Sequence, residues 1–372
     1  MMNLDLAKQL AKEFTTRADE ADRAGKLPDE DIAALKASGY LGLSVPRAFG
    51  GLELSLRDCV LAQMELAQGS TSTALVAAMQ VHIFGHQREV RSWREPIYAQ
   101  FCQEAAQGGL FNSIASEPQM GSPSRGGLPA TTAVTTPDGW CLNGHKTWST
   151  GGRHLTHMLV QTALNGEKAG VLLVLQGTPG VRWQDTWSDA LSFRASESND
   201  VFFEDVLLPH DHLVEGSNGR GAPNVWFPMM MSAVYLGTAV AARNSTIRFA
   251  LERVPTALGK SIATLPKIQR QIGEMDVALQ AARALLLEVA GEWGGDNEQR
   301  AAYLPRIAAA KMMVTQTANM TTEMALQIAG GSSITRALPL ERYFRDVRAG
   351  AMQPPAGDTA LEMVGRAAIE GN

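Results

Sequence analysis

Two stretches of helical periodicity enclose one stretch that cannot be helical, and this change of texture limits the chain to a small set of folds. From about Gly109 to Leu213 the sequence runs in short alternating or β-branched segments: "TAVTT", "WCLNGHKTWS", "HMLVQTAL", "GVLLVLQ", "VRWQD" and "SNDVFFEDVLL". Alternation between strong β formers predicts strands, and short strands at roughly ten-residue spacing suit a sandwich or barrel. The pairs in "PDGW" and "LNGHK" are Asp-Gly and Asn-Gly, the signals of tight hairpins.

Apolar residues recur at three- and four-residue spacing on both sides of this region. On the N-terminal side, Leu4, Leu6, Leu10 and Phe14 begin the pattern. "LPDEDIAALKASG" has Pro and acids at its start and Gly at its end, as helix polarity favours. Further helices are expected near Leu56–Gln68 and Thr71–Gly85. After Pro223 the period returns in long form, over Val225–Glu252, Leu265–Trp293 and Gln299–Ala329, with shorter segments near Leu340 and Asp358. Long helices with short connections predict an antiparallel bundle. The expected organisation is an α+β multidomain chain, with an all-α domain over 1–108, a β-barrel or sandwich domain over 109–215 and a four-helix bundle over 223–372.

Composition narrows the partners. A net charge of −5, without long runs of either sign, argues against nucleic acid and anionic membrane. Cys59, Cys102 and Cys141 have neither disulfide nor zinc spacing, so no metal is expected and a cytoplasmic location is. No apolar run reaches the roughly 20 residues of a membrane span, and the start, "MMNLDLAKQLAKEF", reads as an amphipathic helix.

Three segments are candidate sites. In "LNGHKTWSTGG", Trp148 with Ser149 and Thr150 offers a flat apolar face beside hydroxyl and backbone donors, a place for a planar polar heterocycle or else a core Trp at a hairpin. "FNSIASEPQMGSPSRGG" sets Ser113, Ser116, Ser122 and Ser124 in a loop able to wrap phosphates or ring edges, or in an ordinary polar loop. "QIAGGSSITRALPLERYFRDVRAG" ends a long helix on Gly330 and Gly331 and continues with Arg342, Arg345, Asp346 and Arg348, read as structural ion pairs. There is no GxGxxG or GxxxxGK[ST] motif for a nucleotide. All seven histidines, among them the close pair His154 and His157, are read as solvent or core residues. "PMMMSAV", residues 228–234, is either a buried helix face or the wall of an apolar substrate cavity.

Taken in order, these segments resemble the acyl-CoA dehydrogenase family of flavoproteins from about Leu27 to Arg366. "LGLSVPRAFGGLELSL" is similar to the family's "GL…P…GG" turn, "IASEPQMGS" to "TEPGAGSD", and "LNGHKTWSTGG" to "LNGxKxWITNG". "VFFEDVLLPHDHLV" is similar to "FxDVxVPxxNxLG", and "QIAGGSSITRALPLERYFRD" to "QxxGGxGYxxxxPxERxxRD". The resemblance implies FAD, an acyl-CoA thioester substrate, an electron-transfer partner and a homotetramer or homodimer. It places Trp148 against the flavin ring, with Ser149 and Thr150 at its edge and Ala115, Ser116 and Ser122 at the pyrimidine side and pyrophosphate. Arg253 and Gln269 fall where the family contacts the FAD pyrophosphate and adenine side, and Gln327, Gly330 and Gly331 where it contacts a partner subunit's FAD.

One family feature does not carry over. Dehydrogenation needs a carboxylate to take the α-proton while hydride leaves the β-carbon. The family's usual Glu before Gly-Thr falls here on Ala356 or Pro354, and the alternative position falls near Phe227 and Pro228. Asp358 is the nearest carboxylate, a candidate base or the N-cap of the last helix. The missing Glu raises two alternatives on the same fold: a flavin-dependent monooxygenase served by a flavin reductase, and a non-catalytic member that binds flavin and thioester.

Overall fold

The computed structural model describes residues 2–119, 127–216, 223–294 and 297–371. Helices α1 (Met2–Thr15), α2 (Ala18–Ala24), α3 (Asp29–Ala37), α4 (Leu56–Ala67), α5 (Thr71–Val90) and α6 (Glu95–Ala106) form the first part. Hydroxyl caps start the two that matter most for the site. Ser55 Oγ accepts from Asp58 N at 3.1 Å and Ser70 Oγ from Thr73 N at 3.2 Å, each satisfying a free N–H of the first turn. Buried on almost every side, α5 packs against α7 (Trp226–Glu252) and β1 (Phe111–Ile114). Gly85 permits that approach, because a Cβ there would lie 2.2 Å from the Trp226 indole.

The strands form one eight-stranded sheet among the described residues. Its members after β1 are β2 (Thr132–Thr136), β3 (Gly139–Ser149), β4 (His157–Leu164), β5 (Lys168–Leu175), β6 (Val181–Gln184), β7 (Asn199–Pro209) and β8 (Leu213–Gly216). The order is β6-β7-β3-β2-β4-β5-β8, with β1 parallel to β4. The Asp-Gly signal turns the chain as expected, with Thr136 opposite Gly139. The Asn-Gly signal does not make a hairpin. Asn143 and Gly144 lie inside β3 at a register shift against β7. Asn143 bonds across the strands, its Oδ1 accepting from Asp205 N at 2.9 Å and its Nδ2 donating to Asp205 Oδ1 at 3.0 Å. Thr131 fills the space a Cβ at position 144 would need, so the pair marks a bulge.

In the last part, α7, α8 (Pro266–Glu292) and α9 (Asn297–Ala329) pack on one another, with α10 (Leu340–Asp346) and α11 (Gly357–Glu370) against α9. Met229, Met230 and Met231 are all fully buried, which decides the Met run as a buried helix face. Each such side chain contributes about 1.5–3 kcal/mol by burial. α10 joins the three parts. Arg345 Nη2 donates to Asp22 of α2 at 2.6 Å, Arg342 Nε donates to Asp19 at 3.0 Å, and Asp346 Oδ1 accepts from Phe193 N at 2.8 Å. The charged run on α10 is therefore structural, and its partners come from α2 and the segment before β7 as well as from Glu341 of α10 itself, whose Oε2 accepts from Arg345 Nε at 2.7 Å. One core cluster runs through all three parts, from Leu10 and Phe14 through Leu142 and Val206 to Leu286 and Val314.

Candidate active site

The site begins where β1 and β3 end. The loop after β1 is fastened to β3 by Lys146, whose Nζ donates to Glu117 Oε1 at 2.7 Å and to the Ala115 carbonyl at 3.3 Å. Thr147 N donates to the Ser116 carbonyl at 2.9 Å. Glu117 also accepts from the backbone N–H groups of Ala130 at 2.7 Å and Thr131 at 3.0 Å. Burial pushes the Glu117 carboxyl up, but these hydrogen bonds outweigh it and hold the group below its ordinary value.

β3 then breaks register against β7 between Lys146 and Ser149. Trp148 takes a left-handed φ of 56° and leaves its side chain 61% exposed. Next to it Ser149 is fully buried, and its Oγ has no partner among the described residues. Asn112 Nδ2 donates to the Thr150 carbonyl at 2.9 Å, while its Oδ1 likewise has no partner among the described residues. Thr150 Oγ1 lies 2.8 Å from Ser198 Oγ. An exposed flat apolar face beside buried polar atoms that lack partners fits a planar heteroaromatic ring with hydrogen-bonding edges. Ser122, with Ser124, lies outside the described residues.

A cavity of about 770 Å³ adjoins this cradle through β1, which supplies Ser113 to its wall. The other walls are the second half of α5, the sheet residues Gln161 and Glu215, and Asn224, Trp293 and Arg300 of the last part. His82, His86 and Glu89 share one face of α5, at spacings i, i+4 and i+7. Burial, reinforced by the neighbouring His86, pushes the His82 ring down to about 3; burial and nearby Arg300 take His86 to about 4. Both rings are neutral at pH 7. Asn224 Nδ2 lies 3.1 Å from His82 Nδ1, and Asn224 Oδ1 accepts from Phe227 N at 3.1 Å. Glu89 Oε1 accepts from the indole N–H of Trp226 at 2.8 Å and of Trp293 at 2.9 Å, with Arg300 at 3.8 Å. Burial pushes the Glu215 carboxyl up, against a lowering hydrogen bond with Ser92.

His82 is buried and His86 half-buried, within the reading of all seven as solvent or core residues, but that reading did not place them in the wall of a cavity. The signal was present in "HIFGH", two imidazoles four apart on one helix face, with Glu89 in line after them.

The remaining residues singled out by sequence lie elsewhere. Arg253, Gln269, Gln327, Gly330 and Gly331 are exposed at one end of the bundle, around a core of Ala250, Ile268, Ile328 and Tyr343. None of them lines the cavity. Gln269 Nε2 donates to the Ala263 carbonyl at 3.0 Å, and Gly330 has a φ of 56° with open space where a Cβ would stand. Asp358 is exposed in the first turn of α11 and is not its cap. Ala356 holds the N-cap position with no side-chain bond, because the helix already begins at Gly357. The preceding segment is clamped by Lys311, whose buried Nζ donates to the carbonyls of Gly350, Gln353 and Pro355 at 2.6, 2.9 and 2.9 Å.

The chain runs helical, sheet, helical, and at the ends of β1 and β3 an exposed Trp148 stands beside buried polar atoms without partners among the described residues, an arrangement that fits a planar cofactor. Sequence models of the acyl-CoA dehydrogenase N-terminal, middle and C-terminal domains match residues 1–91, 113–206 and 229–353. The Bacillus subtilis (strain 168) protein YdbM, a candidate acyl-CoA dehydrogenase, is 36% identical over 365 residues, 97% of this chain and 95% of its own. Among solved structures, butyryl-CoA dehydrogenase from Megasphaera elsdenii superposes with a TM-score of 0.85 at 22% identity, covering 99% of this chain and 97% of its own. FMN-bound TdsC from Paenibacillus sp. A11-2 gives 0.87 at 23% identity, covering 100% and 98%. The chain belongs to the acyl-CoA dehydrogenase family. It is a flavoprotein oxidoreductase of that type, and among its described residues no helix is long and apolar enough to cross a membrane.

Proposed function

We propose that this protein is an FAD-dependent dehydrogenase that removes hydrogen across the α,β bond of an acyl-CoA thioester. The observation that carries the proposal is the cradle at the end of β3, where an exposed Trp148 stands beside the unpartnered Ser149 Oγ in a chain matched to the family along nearly its whole length. When bound, FAD supplies the acceptor for hydride at N5. Trp148 would cover one side of the ring, Ser149 and Thr150 would bond its edge, and Ala115 and Ser116 would face the pyrimidine side and pyrophosphate, a role the resemblance also gives to Ser122, which lies outside the described residues. Arg253 and Gln269 would take the pyrophosphate and adenine side, while Gln327, Gly330 and Gly331 would serve the FAD of a second copy in a homotetramer or homodimer. An electron-transfer partner reoxidises the enzyme.

The base is not the family's usual Glu. Asp358 is the carboxylate nearest to it in sequence, but it is exposed and outside the cavity. Of the two glutamates lining the cavity, Glu89 is engaged by two indole N–H groups, which leaves Glu215 less committed. A second reading, a flavin-dependent monooxygenase supplied by a flavin reductase, is favoured by Ala356 and Pro354 standing where the family has its Glu, since that chemistry needs no α-proton base.

Anaerobic titration of the purified yellow protein with acyl-CoA thioesters of different length and branching tests the assignment. Bleaching of the flavin by one thioester supports dehydrogenation. A protein that no thioester bleaches is a non-catalytic member, and one that takes up reduced flavin and consumes oxygen is a monooxygenase.

A further inference from the structure

The polar wall of the cavity between α5, β1 and the start of α7 contains a feature that the flavin cradle does not explain. An Asn side chain has one accepting and one donating end, and here both are assigned by their partners. Asn224 Oδ1 accepts from the backbone N–H of Phe227, so the group facing the His82 ring is Nδ2, an obligate donor. His82 Nδ1 must then accept. A neutral imidazole that accepts at Nδ1 carries its proton on Nε2. The ring is also held in place by Phe227, whose ring stands edge-on to it at 5.1 Å and 89°.

We propose that His82, held as the Nε2–H tautomer by Asn224, donates a hydrogen bond to an acceptor oxygen of the substrate in this cavity. The proposal rests on the acyl-CoA reading, for which the acceptor is the thioester carbonyl. In this arrangement His82 positions and polarises the substrate; with its proton already on Nε2 it is not the acceptor of the α-proton.

The test uses the flavin-loaded enzyme with 15N-labelled histidine and butyryl-CoA as the probe. Long-range 1H–15N spectra report the tautomer of each ring, and the His82 signal is assigned by its loss in His82→Gln. The wild-type ring is expected to be protonated at Nε2 and bare at Nδ1. Asn224→Asp puts an obligate acceptor against Nδ1, so the proton is expected to appear there. Butyryl-CoA binding should then weaken by about tenfold, the scale of one lost hydrogen bond that leaves a partner unsatisfied. His82→Gln, which keeps an N–H near the Nε2 position, should bind within a few-fold of wild type, and His82→Phe should show the tenfold loss. A wild-type ring protonated at Nδ1, or equal binding by His82→Phe, overturns the proposal. If the tautomer is as stated but no thioester binds the wild type, the acyl-CoA assignment fails and the Asn224–His82 pairing stands. Thioester binding with the opposite tautomer overturns the pairing and leaves the acyl-CoA assignment in place.

Discussion

Lys146 and Glu117 form a 2.7 Å ion pair in which the lysine side chain is fully buried and the glutamate is 3% exposed. The pair sets the spacing between the two strand ends that make the cradle, because the same Nζ reaches the Ala115 carbonyl. Lys146→Met leaves a buried carboxylate without its counter-charge, held only by backbone N–H groups, and is expected to cost about 3–5 kcal/mol together with loss of flavin. The double variant Lys146→Met, Glu117→Leu should recover part of that stability without recovering flavin. Thermal denaturation of apoprotein and a flavin fluorescence titration separate the two effects.

Trp148 and Ser149 are expected to differ in their effect on the apoprotein. Trp148→Ala removes a largely exposed indole, so apoprotein stability should barely change while flavin affinity falls by about tenfold, in keeping with about 0.5–1.5 kcal/mol for aromatic stacking beyond area burial. Ser149→Ala removes a buried hydroxyl that has no partner among the described residues, and should leave the apoprotein as stable as wild type or more so, yet weaken flavin binding. An apoprotein destabilised by Ser149→Ala would show that the hydroxyl has a partner before flavin arrives.

Glu89 joins α5 to α7 and to the end of α8 by accepting from two indoles. Replacement by Leu strands both indole donors, with an expected loss of about 2–5 kcal/mol; Gln, which retains an accepting oxygen, should lose less than half of that. Denaturant midpoints of the two variants supply the comparison.

Acid should destabilise the protein beginning below about pH 6.5, the ordinary histidine value. His82 and His86 titrate near 3 and 4 when folded, so on acidification the unfolded chain binds protons first and stability falls with pH through that window. At roughly 1.4 kcal/mol for each pH unit between the unfolded and folded values, each ring contributes on the order of 3–5 kcal/mol, all of it present above pH 6.5. Asp346 works in the opposite sense: burial raises its carboxyl to about 6, so its contribution is largest in acid and is lost as pH rises through that value. The two histidines together outweigh it. His82→Gln, His86→Gln is expected to flatten the decline in stability between pH 6.5 and 4, as measured by urea unfolding at stepped pH.

Asp358→Asn should leave turnover within about twofold, since the side chain is exposed and outside the cavity. Loss of more than a hundredfold would restore Asp358 as the base and imply that the segment before α11 closes over the cavity in the working enzyme.

The alternation in 109–213 and the helical period on either side determined the helix–strand–helix order, because side-chain periodicity follows from local backbone geometry. The helices fall where that period places them, from Thr71 in α5 to Ala329 in α9. The motifs around Trp148 and Gly330 were equally legible, since each is a contiguous run. Tertiary structure decided everything that depends on which surfaces meet. Asn143-Gly144 is a bulge because Asp205 and Thr131 lie across from it, the Met run is core because α7 is enclosed, and the Arg residues of α10 pair with α2, hundreds of residues away. His82 and His86 became part of a site only once β1, Asn224 and Arg300 closed around α5. Sequence spacing places both rings on one helix face, but only the packing of distant segments buries that face, keeps the rings neutral and gives Nδ1 of His82 its partner.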